Sequence, residues 1–400
     1  MTHFGGKARS DAMPWKVGDL MSVRYEFVKR LEDGERMTDL CREFNISRKT
    51  GYKVLARYEA AGFDGLRDES RRPLRRARET PEEVRTLILA LKHKHPTWGA
   101  KKLREVLGRR EPGVRMPAQS TVGLLLKRHG LVKERRPRRR CTPTEGPLTR
   151  ALAPNDVWGV DFKGHFRLGN RRYCYPLTLS DLFSRFLLGC EGLEDTKGRG
   201  ARPACEMVFR EHGLPWVMLM DNGSPFASPG LLGLTRLSVW WMRLEIRLER
   251  IEPGHPEQNG SHERMHRTLK EDTTRPAREN ILAQQERFDE FREEFNHERP
   301  HEALGMRCPA EVYTPSTRAF PEELAELEYP LHDETRTVRA CGHINLFRRN
   351  SSVYLSTALA GERVGLRELE DDRWLVSFMS IDLGIIDTRH GRFSSMPELA

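Results

Sequence analysis

The 400-residue chain has no run of roughly 18 consecutive apolar residues, the length a helix needs to cross a bilayer. That argues against a membrane span. Met1 to Asp19 also lacks the apolar core of a secretory leader, so the expected compartment is the cytoplasm. C-x-x-C is missing too. The seven cysteines, Cys41, Cys141, Cys174, Cys190, Cys205, Cys308 and Cys341, are odd in number and scattered. They support neither a disulfide framework nor a structural zinc site. His93 and His95 stand two apart with no cysteine pair to complete a site, and are read as surface histidines. Acidic charge is in deficit. Lys and Arg number 68 against 58 Asp and Glu, a net charge of +10, so the expected partner is a polyanion, nucleic acid before membrane. The length implies two to four domains.

What is present begins with helical periodicity. Residues 1–19 read as a flexible arm. Leu20, Val23, Phe27, Val28 and Leu31 then share one helical face, which Glu32-Asp33-Gly34-Glu35 ends. Met37 to Phe44 reads as a second helix with Thr38 as its N-cap, Asn45-Ile46 as a turn, and Arg48 to Ala60 as a third helix capped by Ser47. A short helix, a tight turn and a longer basic helix match the helix-turn-helix pattern. Its second helix would offer Arg48, Lys49, Thr50, Tyr52 and Lys53 to a major groove. The alternative is a small bundle with a basic surface. This domain is placed at 20–70.

Residues 71–132 repeat the theme. Arg71, Arg72, Arg75, Arg76 and Arg78 form a connector suited to phosphates or to solvent. Thr80-Pro81-Glu82-Glu83 is a helix start, with proline at the first helical position and acids in the first turn, and the helix extends to about Lys94. Ala100 to Leu107 and Pro117 to Gly130 supply two more, giving a second helix-turn-helix-like unit. Residues 133–150 are a linker, basic and stiffened by proline.

From Asp156 the character changes. Val157 to Phe162 reads as a buried strand carrying Asp161, Gly169-Asn170 as a hairpin turn, and Arg172 to Ser180 and Phe186 to Gly192 as two returning strands. A helix at Ala204–His212 leads to a strand ending in Asp221-Asn222-Gly223, then a helix near Leu231–Met242 and a short strand at Glu245–Arg250. His255 to Lys270 reads as a turn opening a helix. Glu263, His266, Arg267 and Lys270 recur at helical spacing, one carboxylate heading a row of cations. By itself that row equally describes a solvated helix with ion pairs. A carboxylate inside an apolar strand is costly unless something offsets it, and open α/β sheets bind ligands at the C-terminal ends of strands. Asp161, Asp221 and Glu263 come from three separate elements and are candidates to converge on one or two divalent ions. Oxygen-only ligands suit Mg²⁺ or Mn²⁺. The bland reading makes Asp161 and Asp221 turn residues.

The motifs W-G-V-D-F at 158–162, L-S-D-L-F-S-R at 179–185, D-N-G-S-P-F at 221–226, H-P-E-Q-N-G-S-H-E-R-M-H-R-T-L-K at 255–270 and F-N-H-E-R-P-H-E-A-L at 295–304 together resemble the retroviral-integrase-type core of bacterial insertion-sequence transposases. The resemblance covers roughly 150–318. It implies an α/β ribonuclease-H-like catalytic core, placed at 151–320, behind all-α helix-turn-helix domains. It also implies a DDE triad of Asp161, Asp221 and Glu263 as catalytic residues and metal ligands, with two Mg²⁺ or Mn²⁺ ions. Thirty-five residues separate Asp221 from Glu257, the spacing usual in the family, whereas the flanking P-x-x-N-G-x-x-E-R pattern selects Glu263. Gly260 and the basic face fix position on the helix while a loop absorbs the extra residues, so Glu263 is chosen. Arg264, His266, Arg267 and Lys270 are then candidates to touch DNA beside the cleaved phosphate. Asn222 is a candidate to orient water or a ligand beside Asp221. Asp181 is read as structural, bonding Ser184 or Arg185.

Phe288, Phe291 and Phe295 are read as core, and Ser316 to Tyr329 as a connector. Thr335–Ile344, Ser352–Leu355, Glu362–Leu369, Trp374–Phe378 and Leu383–Thr388 read as strands of a small all-β domain at 330–400, SH3-like by resemblance. It would bind DNA through Arg339, Arg348 and Arg349 or join protomers. The resemblance implies an enzyme that binds the terminal repeats of an element as double-stranded DNA, cleaves the strand and joins its 3′-OH to target DNA, as a homo-oligomer on DNA and away from membranes. The alternatives are a non-catalytic regulator derived from such an enzyme, and a metal-dependent nuclease of the same fold.

Overall fold

The computed structural model describes residues 19–68, 80–132, 148–252, 255–346, 352–370 and 372–396, without the side chains of Pro256 and Glu257. The expected arm, the Arg71–Arg78 run, most of the basic linker, Arg348 and Arg349 lie outside these residues. The chain divides into two compact units, Met1–Glu79 and Thr80–Ala400.

The first unit packs α1 (Leu20–Glu32), α2 (Met37–Glu43) and α3 (Arg48–Ala61) around Phe27, Val28, Leu40, Cys41, Val54 and Leu66. Ser47 caps α3, its hydroxyl accepting from the Thr50 amide at 3.1 Å. Thr38 does not cap α2. Arg36 occupies that position without a side-chain bond, and Thr38 lies within the first turn. Gly51 lets α3 approach its neighbours, because a Cβ there would stand 2.7 Å from Met37 Sδ and 2.9 Å from Cys41 Sγ. The outward face of α3 presents Arg48, Lys49, Thr50, Tyr52 and Lys53, all exposed.

The second unit opens with α4 (Glu82–Lys94), α5 (Ala100–Arg110) and α6 (Gln119–Arg128) around Ile88, Trp98, Leu103, Val122 and Leu126. Pro81 takes the N-cap of α4, one place earlier than expected. His95 is not a surface residue. It is 3% exposed, stacks on Trp98 with ring centroids 3.9 Å apart, and its Nδ1 lies 2.7 Å from Glu294 Oε1.

The sheet of the core comprises β1 (Val157–Phe162), β2 (Phe166–Arg167), β3 (Tyr173–Asp181), β4 (Leu187–Leu193), β5 (Val217–Met220) and β6 (Arg247–Arg250). α7 (Gly198–His212) joins β4 to β5, and α8 (Arg236–Arg243) joins β5 to β6. The order is β4-β3-β1-β5-β6, with β2 on the start of β3. β3 is antiparallel to β1 and β4, while β5 is parallel to both β1 and β6. One cluster joins Trp158, Leu177, Leu179 and Met218 to Phe209 of α7 and Trp241 of α8. Another buries Cys174, Leu187 and Cys190 under α9 (Gly260–Thr273) and α10 (Ile281–Glu293). Phe288, Phe291 and Phe295 belong to this second cluster. Asp181 is fully buried and structural: Oδ1 accepts from the amide and hydroxyl of Ser184, and Oδ2 from the Asn155 amide.

The C-terminal strands are β7 (Glu334–Thr337), β8 (His343–Asn345), β9 (Ser352–Tyr354), β10 (Arg363–Glu370), β11 (Arg373–Phe378), β12 (Ile381–Asp387) and β13 (Arg392–Ser395). They form a sheet ordered β13-β12-β11-β10-β7 and a β8-β9 hairpin. The expected strand Thr335–Ile344 is two strands, broken by a turn at Gly342 with φ of +83°. β13 was not foreseen. Val338, Ile344, Val353, Leu366, Val376 and Phe378 share one core with Val239 and Met242 of α8. Among the described residues, no helix is long and apolar enough to cross a membrane.

Candidate active site and nucleic-acid interface

In the parallel pair β1–β5, Val157 lies opposite Val217, Trp158 opposite Met218 and Gly159 opposite Leu219. Asp161 is four residues past Val157 (161 − 157), and Asp221 is four past Val217 (221 − 217). The register therefore sets the two carboxylates side by side where the strands end. Their charges interact: the Asp161 carboxyl is pushed up to about 7, first by burial and then by Asp221. Asp221 Oδ1 accepts from the Gly223 amide at 3.1 Å, which orients it. The Asn222 amide donates to the Ile251 carbonyl at 2.7 Å. That bond braces the end of β5 against the chain leaving β6.

The third wall is α9, entered through a 3-10 turn at Pro256–Asn259. Its sheet-facing residues are His262, Met265, His266, Leu269 and Thr273, all buried. This is the i, i+3, i+4, i+7 repeat of an amphipathic helix. Asn259 Nδ2 donates to Asp161 Oδ2 at 3.1 Å. Glu263, four residues on from Asn259, lies on the same strip of the helix one turn further. It is exposed and has no hydrogen bond or ion pair among the described residues. The acidic ligand atoms of the expected triad are not gathered into one cluster. The group whose ligand atoms all lie within 4.8 Å of one another is Asp161, His262 and His266.

His266 is thus corrected. It is 6% exposed, sealed between α9 and β3, so DNA has no access to it as a surface cation. Its Nε2 lies 2.7 Å from Thr178 Oγ1, as does Nε2 of His262. Burial first of all holds its imidazole well below the ordinary range, with His262 and Lys163 adding to the effect. Arg264, Arg267 and Lys270 are exposed on α9. Lys163 stands near Asp161. Lys163 is lowered by burial and by Lys270, and Arg185 by burial and by Arg264. The sequence reading missed His262, Thr178 and Ser180. The 3.6-residue period already put His262 on the Met265–Leu269 face, and that signal was available.

Matches to protein families follow the same division. Residues 151–256 match one model of the integrase core domain, and residues 244–309 match a second. A helix-turn-helix domain matches 23–73 and a homeodomain-like domain 50–126. The Pol polyprotein of Feline endogenous virus ECE1 is 33% identical over 135 residues, 33% of this chain and 12% of that polyprotein. The Gag-Pol polyprotein of Baboon endogenous virus is 32% identical, with 7% of its length covered. The chain thus spans only a small part of these viral relatives. The insertion element IS407 uncharacterized 31.7 kDa protein of Burkholderia multivorans is 25% identical over 239 residues, 58% of this chain and 80% of that protein. Among solved structures, the HTLV-2 integrase catalytic core domain in complex with magnesium aligns with a TM-score of 0.33 at 15% identity, over 41% of this chain and 100% of its own. The simian T-cell lymphotropic virus intasome in complex with PP2A regulatory subunit B56 gamma aligns at 0.37 and 15%, over 75% and 96%.

Helix-turn-helix DNA-binding segments ahead of a ribonuclease-H-like integrase core define the class. Within it, the chain carries the integrase core domain and is similar to the protein of insertion element IS407.

Proposed function

We propose that the protein is an active DNA transposase that binds the terminal repeats of its element, cleaves a strand at the element end and transfers the 3′-OH to target DNA. The observation that carries this reading is the pairing of Asp161 with Asp221 at the ends of neighbouring parallel strands, with α9 closing over them. Asp161, Asp221 and Glu263 are assigned as the catalytic acids, and Glu257 is left out.

The residues fit a divalent cation. Two adjacent carboxylates, one of them largely buried, repel each other unless a proton or a cation lies between them. Oxygen donors of this kind suit Mg²⁺ or Mn²⁺, and we assign two ions to the triad. Such ions, when bound, lower the pKa of the attacking oxygen and stabilise the leaving one. The chain's own residues do the rest. Asn259 holds one oxygen of Asp161, while the exposed Arg264, Arg267 and Lys270 are assigned to the phosphates flanking the cleaved bond. In the first reaction a water oxygen adds to phosphorus and the P–O3′ bond opens, leaving a 3′-OH on the element. In the second, that hydroxyl attacks a target phosphate and frees a target 3′-OH.

The exposed residues of α3, Arg48, Lys49, Thr50, Tyr52 and Lys53, are assigned to the major groove of the end sequence. We retain the domains 20–70, 71–132, 151–320 and 330–400. Joining two ends calls for a homo-oligomer on DNA. The C-terminal domain is read as a small SH3-like barrel, a reading supported by the β8-β9 hairpin lying beside β7 and β13. The test is end-labelled duplex carrying the repeats that flank the coding sequence, incubated with the full chain, target DNA and Mg²⁺ or Mn²⁺. Joined products support the reading. Binding alone would make the chain a regulator, and cutting alone a nuclease.

A further inference from the structure

We propose that His266 supplies an imidazole nitrogen to the divalent cation at Asp161, so that the site takes nitrogen as well as oxygen ligands. The inference rests on the metal-site reading above and deepens it.

Thr178 Oγ1 has three close polar neighbours: the Asp161 carbonyl oxygen at 3.1 Å, His262 Nε2 at 2.7 Å and His266 Nε2 at 2.7 Å. A threonine hydroxyl has one proton and two lone pairs. The carbonyl can only accept, so the single proton goes there. Both imidazoles must then donate through Nε2 into the two lone pairs. Any other assignment leaves one contact with acceptor facing acceptor. Both rings are buried, where an imidazolium without an anionic hydrogen-bond partner is costly, so each is neutral and carries its one proton on Nε2 and a bare lone pair on Nδ1.

The two rings differ in what that lone pair meets. His262 Nδ1 lies 3.1 Å from Ser180 Oγ, which donates to it. His262 is therefore satisfied at both nitrogens and acts as a brace. His266 Nδ1 has no such donor among the described residues. Its neighbour is Asp161 Oδ2 at 3.8 Å, too far for a hydrogen bond and bearing lone pairs of its own. The ring cannot readily swing away, because Nε2 is pinned to Thr178 and the His262 ring meets it edge to face at 4.6 Å. Two fixed electron-pair donors converge on one point, and a cation there satisfies both. An Nε2–H tied to a neighbouring oxygen is also the usual arrangement for a metal-ligating histidine, fixing the tautomer that leaves Nδ1 free to bind.

An imidazole ligand shifts selectivity, since nitrogen suits transition ions better than Mg²⁺. The experiment adds Mn²⁺ alone to the full chain and records pulsed electron paramagnetic resonance, which detects nitrogen bound directly to the ion. Wild type is expected to show one coupled nitrogen. His266→Asn is expected to lose it and to bind Mn²⁺ about tenfold more weakly, with Mg²⁺ affinity changed far less. His262→Gln keeps the coupling. Asp161→Asn abolishes tight Mn²⁺ binding. Mn²⁺ bound to wild type without nitrogen coupling overturns the assignment while leaving the carboxylate site standing. So does a coupling that survives His266→Asn. Wild type that binds no Mn²⁺ sinks the metal-site reading and this inference together. The wild-type spectrum requires no variant to fold.

Discussion

Asp161 and Asp221 end neighbouring parallel strands at the same register, and the negative charge of one raises the proton affinity of the other. Without a cation this pairing works against folding. Asp221→Asn should therefore raise the melting temperature in EDTA by a few degrees, since it removes a like charge beside a buried carboxyl. Added Mn²⁺ should stabilise wild type by about 2.7 kcal/mol at a hundredfold excess over Kd, and should do little for the variant. Thermal melts with and without metal measure both effects. Equal stabilisation of the two proteins would contradict the shared site.

A second prediction concerns the seam between the α4–α6 module and the core. Lys102 is lowered to about 7, first by burial and then by Arg299, with Glu302 and Asp272 opposing. Its folded pKa lies below its unfolded value, so the unfolded chain binds more protons between the two. Its contribution to stability is present above about pH 10.5 and is lost as pH falls through about 7. Lys102→Met should therefore raise the melting temperature relative to wild type at pH 6, by a few degrees. The advantage should shrink steadily toward pH 10. An advantage independent of pH would mean that packing alone was at work.

The third prediction tests the reading helix. Lys49 and Lys53 are exposed on α3. If they contact phosphates, Lys49→Ala and Lys53→Ala should each weaken binding to element ends and reduce the slope of log K against log salt by about one. Gly51→Ala should act differently, through folding. Its Cβ would stand within 3 Å of two sulfur atoms, and overpacking of this kind costs roughly 1–3 kcal/mol. Circular dichroism of the separate effects tells the two mechanisms apart.

These residues also show what the sequence made legible. The Ser47 cap, the Phe288–Phe291–Phe295 stripe and the Asp181–Ser184 bond are local, and each was read from neighbours within a few positions. The placement of the two aspartates at strand ends was readable because each follows an apolar run. His95 was misread because its burial comes from distant chain, and His266 because its basic neighbours outweighed its place on the Met265–Leu269 face. Glu294 is 199 positions from His95, and Thr178 is 88 from His266. No periodicity in the vicinity of either histidine encodes those partners. The β7–β8 break failed for another reason: Val338 looked like a continuing strand, and Gly342, the turn residue, was passed over.

The central claim is that Asp161, Asp221 and Glu263 act as one catalytic set, with Glu257 outside it. The most direct test is strand transfer by the full chain on pre-cleaved element ends, with Asp161→Asn, Asp221→Asn, Glu263→Gln and Glu257→Gln compared at equal end occupancy. The account predicts joined product from wild type and from Glu257→Gln, and a loss of at least about a hundredfold, ~2.7 kcal/mol in the barrier, for each of the other three. Normal joining by Glu263→Gln together with loss in Glu257→Gln would contradict it.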